Sequence, residues 1–441
     1  MSSFLTNPFK NMRGGDLGRL SVLMFTAFID MVGALMVIPL LPFYAEKLGA
    51  NGFKIMVLVS VFSAMQLLTA PLWGRVSDRY GRKPALLIGL GASVIAYVVF
   101  AFAESYWLLL LSRIVQGAGG GTVGVIQAYV ADAVEPKNRT RGLGWLSAAT
   151  NAGVVLGPLL GSATTVMGPH APGLFAAGLC ALNIIFAFRF LTESHGVSAR
   201  ANAQRARTPL QAVGRVFFHP SDTSSRLIWI YSVAMGAFYG VHAILILFLN
   251  RQFGVTAATV GFFFAYLGGL SVLIRVFLLG PVVDRLGEAR TSRLGGLLLA
   301  AGLATIPLMR PWEWLPEGLS LLPLALAVGL LPLGTAFTFP SVTALLSRVV
   351  GEHERGLYMG VQQTYGGIAR VIYPLYAGFA WDQFGFLVPF WTSAVLVAST
   401  MYMGYGLQAY VHHAEPAGKK TESGGDLAKA AAATPEEAGV E

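Results

Sequence analysis

The chain has 441 residues, 55% of them hydrophobic and only 12% charged, with a formal net charge of +9 and a mean hydropathy of +0.62. That balance excludes an ordinary soluble domain and points to a multi-pass membrane protein. The single cysteine, Cys180, excludes an intrachain disulfide and a thiolate metal cluster, and neither a metal nor another cofactor is expected.

In chain order, twelve apolar runs long enough to cross a bilayer fall at about 19–41, 53–74, 84–103, 106–131, 142–166, 171–191, 226–249, 257–279, 292–309, 320–347, 356–380 and 387–410. These are spans 1 to 12. The first holds an acid and is too long for a signal-peptide core, so it is expected to remain as an uncleaved span. The expected organisation is an N-terminal six-helix bundle at 1–192, a cytoplasmic linker at 193–225, a C-terminal six-helix bundle at 226–410 and a disordered cytoplasmic tail at 411–441. The linker carries Arg200, Arg205, Arg207 and Arg215, and its segment Pro209 to Phe218 has the pattern of an amphipathic helix on the membrane surface. The tail is rich in Ala, Glu, Gly and Lys and poor in large apolar residues. With this assignment 23 of the 31 Lys and Arg residues lie in the termini and the even-to-odd loops, and only Lys47, Lys54, Arg251 and Arg310 lie on the opposite side. Both termini are therefore expected in the cytoplasm of a cell's inner membrane. The basic charge then reports topology and contact with anionic lipid, and no nucleic-acid partner is expected.

Asp30 lies in the middle of span 1, where an acid is costly unless protonated, paired or hydrated. It either carries a proton, anchors a cationic substrate, or orients helices as a static pair. Arg113 in span 4 never deprotonates in practice, so it can tune an acid or bind carbonyls but cannot carry the proton itself. Between spans 2 and 3 the stretch Gly74 to Pro84 packs Arg75, Asp78, Arg79, Arg82 and Lys83 into one turn, with glycines at 74 and 81. Span 5 carries Gly144, Gly153, Gly157-Pro158 and Gly161; small residues four apart let helices pack backbone to backbone. In span 7, Tyr231, Met235, Tyr239 and His242 share one helical face. That face either lines an amphiphile-binding cavity, with His242 free to titrate, or packs between helices. Gln66, Asn151, Asn183, Gln362 and Gln363 are further intramembrane polar groups that face either the bundle interior or a neighbouring helix.

The two halves echo each other. Gly280 to Gly287 repeats the Gly, Asp, Arg and Gly of the first charged turn through Asp284 and Arg285. Aligning the turns sets Glu288 opposite Arg82, and aligning the ends of spans 4 and 10 sets Arg348 opposite Asp132. A charge-swapped pair of contacts is expected, Arg82 with Asp132 and Glu288 with Arg348. The alternative is four solvated loop charges of little worth.

The first charged turn resembles the signature loop between helices 2 and 3 of the major facilitator superfamily. Arg113-Ile114-Val115-Gln116-Gly117 resembles that family's helix 4 motif, associated with proton transfer. The span 5 glycines resemble the antiporter signature of its drug:proton exchangers, with Ser162 in place of the last glycine of that pattern. Phe28 to Gly33, followed by Ile38-Pro39-Leu40-Leu41-Pro42, looks like helix 1 of the tetracycline and multidrug efflux branch. The resemblance implies an all-α membrane protein, twelve transmembrane helices in two pseudo-symmetric six-helix bundles, with substrate held between them. It implies proton coupling through Asp30 and Arg113. It also implies a cytoplasmic gate at Gly74, Asp78, Arg79, Gly81, Arg82 and Asp132, which the internal repeat extends to Asp284, Arg285, Glu288 and Arg348. Substrate contacts are expected from Gln66, Asn151, Tyr239, His242 and Gln362.

No phosphate-binding loop, His-Glu-x-x-His or Gly-x-Ser-x-Gly is present, so the chain reads as a non-enzyme not powered by ATP hydrolysis. The function expected is proton-coupled efflux of a small amphiphilic or cationic compound, by a monomer whose partners are that compound, protons and membrane lipids. Export of a sugar, amino acid or other metabolite is one alternative, and a lipid flippase or non-transporting sensor another. A predominantly anionic or sugar substrate asks for more cavity cations or polar groups than the sequence alone lets one place.

Overall fold

The computed structural model describes residues 14–134, 138–193, 209–311, 321–351 and 353–405. The expectations for Arg200, Arg205, Arg207 and the tail after 411 lie outside the described residues. Among the described residues all regular structure is helical.

Helix α1 (Gly14–Val37) passes through a 3-10 turn into α2 (Leu41–Lys47), and the two make span 1. Span 2 is α3 (Gly52–Tyr80), and span 3 is α4 (Arg82–Ala101). Span 4 is broken into α5 (Tyr106–Gly119) and α6 (Thr122–Ala133). The break has a cause in α3: Gln66 Nε2 donates to the Gly120 carbonyl at 3.1 Å and Trp73 Nε1 to the Ala118 carbonyl at 2.6 Å. A Cβ at Gly121 would overlap the Trp73 ring, so only glycine lets the chain pass. Span 5 is α7 (Arg139–Thr164) and span 6 is α8 (Ala171–Phe190). The linker holds α9 (Pro209–Phe218). It buries Ala212 and Val216 against the C-terminal half and leaves Phe217 and Phe218 exposed. Span 7 is α10 (Thr223–Phe253).

Span 8 is α11 (Val260–Leu273), a π-helical turn (Ile274–Leu278) and the start of α12 (Leu279–Thr305). Inside α12, Gly287 adopts φ 74°, and the chain doubles back into span 9. Span 10 is α13 (Leu322–Val349), span 11 is α14 (Arg355–Phe384) and span 12 is α15 (Leu387–Met403). Among the described residues nine stretches are long and apolar enough to cross a membrane. One of them folds in two at Gly287, and α14 and the shorter α15 complete the set of twelve.

The first charged turn proves mostly helical. α3 carries on through Arg75–Tyr80, and only Gly81, at φ 106°, breaks it. At 1.5 Å per residue the 29 residues of α3 reach about 44 Å, beyond a hydrocarbon core of about 30 Å. The charged segment is thus a helix end standing in water.

Helices α1–α8 pack as one bundle and α10–α15 as another, joined where α3 crosses α14 and α7 crosses α11. Ile88, Ile95, Phe188, Phe262 and Val395 remain exposed on the outside, the apolar belt that lipid requires. The cross-half bonds gather toward the end where α3 begins. There the Asp382 carboxylate accepts from Gly52 N at 3.0 Å and Phe53 N at 2.8 Å. Ser60 Oγ donates to the Val371 carbonyl at 2.9 Å, and Arg251 lies 3.7 Å from Glu46. The Asp382 contact places a carboxylate on the positive end of the α3 dipole.

Candidate functional site

In the N-terminal half Asp30 is half-buried on α1. Thr122 Oγ1, at the start of α6, donates to its Oδ2 at 3.1 Å. The α5/α6 break is what brings this hydroxyl to the acid. Arg113 is 1% exposed, its guanidinium 5.5 Å from the Phe100 ring centroid, and its Nε donates to Ser112 Oγ at 3.2 Å. Among the described residues Arg113 makes no ion pair with Asp30. Tyr97 instead interacts electrostatically with both, and Gln116 Nε2 donates to its hydroxyl at 2.9 Å. The surroundings of Asp30 thus include a hydroxyl, Thr122, bonded to it, and a phenol, Tyr97, that interacts with both Asp30 and Arg113, neither of which stands out in the sequence. Both are uncharged residues in apolar surroundings, so only their location identifies them. Arg113 Nη2, Gln116 Oε1, Asn183 Oδ1 and Thr26 Oγ1 are buried without a hydrogen-bond partner. In hydrocarbon such groups invite water.

The C-terminal half supplies Tyr231, Tyr239, Gln363, Arg275 and Arg370. The Arg370 guanidinium lies 5.7 Å from the Tyr239 ring centroid. Gln363 Nε2 donates to the Tyr231 hydroxyl at 3.4 Å. The expected span 7 stripe divides. Tyr239 is exposed and Met235 half-buried, while Tyr231 is buried and packs against Phe339. His242 is wedged between the rings of Phe238 and Phe264. Gln362 is fully buried and accepts from Thr343 Oγ1 at 3.4 Å, so its neighbour Gln363 is the one exposed. Gln66 is engaged with the Gly120 carbonyl in the break between α5 and α6, and Asn151 is half-buried on α7.

The charged helix ends form two pairs. Arg82 Nε donates to Asp132 Oδ2 at 3.0 Å, and its Nη1 to Asp78 Oδ1 at 2.8 Å and Ser77 Oγ at 2.9 Å. In the other half Arg348 Nη2 pairs with Glu288 Oε1. Glu193, not singled out in the sequence, accepts from the backbone nitrogens of Arg82 and Lys83 at 2.9 and 3.1 Å and so caps α4. A side chain at Gly81 would strike it. Gly74, Asp284 and Arg285 are exposed, and the Arg79 guanidinium lies over the Tyr80 ring.

The α7 glycines face a different neighbour from the one that closure between the halves requires. A Cβ at Gly153 would meet Met31 Cβ and the Phe28 carbonyl, each at 2.9 Å, and one at Gly157 would meet Leu35 Cβ at 2.8 Å. Gly161 abuts Met36, and Gly144 has nothing within 4 Å. The glycine face is thus packed on α1 inside its own half. The residues of α7 that touch the other half include Val154 and Val155, against Gly268, Pro158, against Gly261, and Ser162. Ser162 Oγ donates to the Ala257 carbonyl at 2.7 Å and accepts from Gly261 N at 2.8 Å. The serine that departs from the glycine pattern makes the cross-half hydrogen bonds.

The family model of the Major Facilitator Superfamily matches residues 23–331 and, overlapping these, 279–435. The chain belongs to the Major Facilitator Superfamily. It is 30% identical to the class C tetracycline resistance protein of Escherichia coli, over 81% of this chain and 88% of that one. It is 25% identical to multidrug resistance protein 2 of Bacillus subtilis, over 82% and 88%. Among solved structures it resembles the human organic anion transporter MFSD10, with a TM-score of 0.64, 23% identity, and coverage of 89% of this chain and 100% of that one. This last likeness bears on the fold alone.

Proposed function

We propose that this facilitator is a proton-coupled exporter of small amphiphilic compounds, drugs or antibiotics among them, in the inner membrane. The observation that carries the reading is Asp30, a carboxylate in mid-span whose hydrogen-bond partner is a hydroxyl, next to a phenol that also senses a buried arginine. A carboxylate so placed exchanges a proton when its surroundings alternate between dry and wet. The relatives' names, tetracycline and multidrug resistance proteins, support a drug cargo.

The basic helix ends carry the cytoplasmic face by the positive-inside rule, with residues 1–192 and 226–410 as the moving halves. The bonds at the start of α3 then seal the outer side, and the structure is the cytoplasm-facing member of the cycle. A compound enters from the cytoplasm, and the halves rock about α3/α14 and α7/α11. Proton binding at Asp30 on the outside resets the carrier. Arg82–Asp132 and Glu288–Arg348 brace the helix ends that come together when the cytoplasmic side closes. Gln116 holds the Tyr97 hydroxyl near Asp30, and Arg113 supplies a fixed positive charge beside that phenol. The chain acts as a monomer in this scheme, since each half supplies one wall of the site.

The test is a growth-inhibition panel of antibiotics and dyes with wild-type protein and Asp30→Asn, at matched membrane levels. Resistance conferred by the wild type and lost in the variant is expected. Equal resistance from both removes Asp30 from the mechanism.

A further inference from the structure

We propose that the C-terminal wall of the central site binds an acidic oxygen group on the exported compound, a carboxylate, sulfonate or enolate, through Arg275 and Arg370 with Tyr239 between them. The proposal rests on the exporter reading and narrows its cargo to amphiphiles that carry such a group.

The two arginines come from different helices and lie at one level. Arg275 is fifteen residues past Val260, where α11 begins, and Arg370 fifteen past Arg355, where α14 begins at the opposite membrane face. At 1.5 Å per residue both lie about 22 Å along helices of about 45 Å, near the midplane. Tyr239, sixteen residues into α10, sits at the same level. Its ring stands under the Arg370 guanidinium at 5.7 Å, and its phenol interacts electrostatically with Arg275. One cation thus lies against the ring and a second lies within electrostatic reach of its phenol. Tyr231 interacts with both Tyr239 and Arg370 and receives Gln363.

Neither arginine is neutralised. Among the described residues no carboxylate forms an ion pair with either, and the Nε of each is buried without a hydrogen-bond partner. An ionised group left so at membrane depth is expensive and marks a functional site. Asp30, the mid-span acid, belongs to the other half and is engaged with Thr122. A purely structural pair of arginines is expected to spend its donors on backbone carbonyls, as Arg226 and Arg293 do on Met403 and Gly404 at the end of α15. Arg275 also sits in the π-helical turn, a local widening that recurs at functional sites.

The guanidinium fork matches a carboxylate or sulfonate two oxygens at a time. Tyr239, Met235 and the exposed Gln363 offer an apolar and polar surface beside it for a ring system. An arginine pair therefore selects the head group, and the aromatic wall accepts varied bodies.

The test uses the full chain in lipid nanodiscs and three dansyl probes with one ring and different heads: dansylglycine (acid), its uncharged amide, and dansylcadaverine (amine). Dansylglycine is expected to bind at least tenfold more tightly than the amide. Arg275→Gln and Arg370→Gln are each expected to erase most of that preference, and Arg370→Lys to retain part of it. Amide binding in the variants reports that the site is still folded. The wild-type comparison stands even if a variant fails to fold. Equal binding of acid and amide by the wild type overturns the proposal, as does an undiminished preference in folded glutamine variants. Proton-driven efflux from everted vesicles separates the two readings. Pumping of dansylcadaverine with no acid preference leaves the exporter standing and removes this site. An acid preference without pumping of any probe supports the site and removes the exporter.

Discussion

Replacing Gly153 with alanine tests how α1 is held. The added Cβ would lie 2.9 Å from both Met31 Cβ and the Phe28 carbonyl, and 3.2 Å from Val32 N. Relief needs α1 and α7 to part by roughly 0.5 Å, and overpacking of this kind costs about 1–3 kcal/mol. Met31 is the residue next to Asp30. The Thr122–Asp30 bond of 3.1 Å has little slack, so a shift of that size takes it out of hydrogen-bonding range. A loss of about 1–2 kcal/mol from the coupled state corresponds to roughly a 5- to 30-fold change in its population. Gradient-driven efflux by Gly153→Ala, measured in everted vesicles per unit of inserted protein, is expected to fall several-fold to tenfold. Gly144→Ala, where nothing lies within 4 Å, is the control and is expected to stay within about 0.5 kcal/mol of wild type. Normal pumping by Gly153→Ala at equal insertion would refute the reasoning, and so would an equal defect in Gly144→Ala.

Arg82→Glu and Asp132→Arg are each expected to lower efflux, because Arg82 is largely enclosed and holds three partners. The double reversal should recover part of the loss, and a double-mutant cycle with no coupling would show that the contact does not matter to transport. The same cycle on Glu288 and Arg348 is expected to show coupling, with the larger single effect at Glu288, the more enclosed partner. Asp382→Ala removes an anion from the α3 N-terminus, an interaction worth about 0.3–2 kcal/mol. Spin labels across the outer ends of α3 and α14 should then report a broader, longer distance distribution, and an unchanged one would exclude Asp382 as a seal. Ser162→Ala should loosen the α7/α11 contact, read by spin labels placed across the outer ends of those two helices.

Much of this architecture is legible in the sequence because lipid constrains it so strongly. Runs of apolar residues and the placement of Lys and Arg gave the spans, and the 206-residue offset between the two charged turns put Glu288 opposite Arg82. The same logic fails where a residue's neighbour, rather than its type, decides its role. Small-residue spacing marked α7 as closely packed, yet nothing local said that α1 rather than the other half fills the groove. Gln362 and Gln363 are adjacent, point about 100° apart on a helix, and exchange roles when the face is misjudged. Glu193 and Asp382 cap helices whose starts lie 111 and 330 residues away in sequence, beyond any capping pattern. Tyr97 and Thr122 carry no charge to betray them. Arg275 and Arg370 stand as charges inside spans in the sequence, but only the fold sets Arg370 over the Tyr239 ring and Arg275 within electrostatic reach of its phenol.

The central claim is that proton movement through Asp30 drives export between the two halves. Its most direct measurement is transport in proteoliposomes holding only this protein and a fluorescent amphiphile, with an imposed pH gradient. The wild type is predicted to move the compound against its own gradient while protons run down theirs, and Asp30→Asn only to equilibrate it. Uphill transport by Asp30→Asn at the wild-type rate, or by wild type with the pH gradient and membrane potential collapsed, would contradict the account.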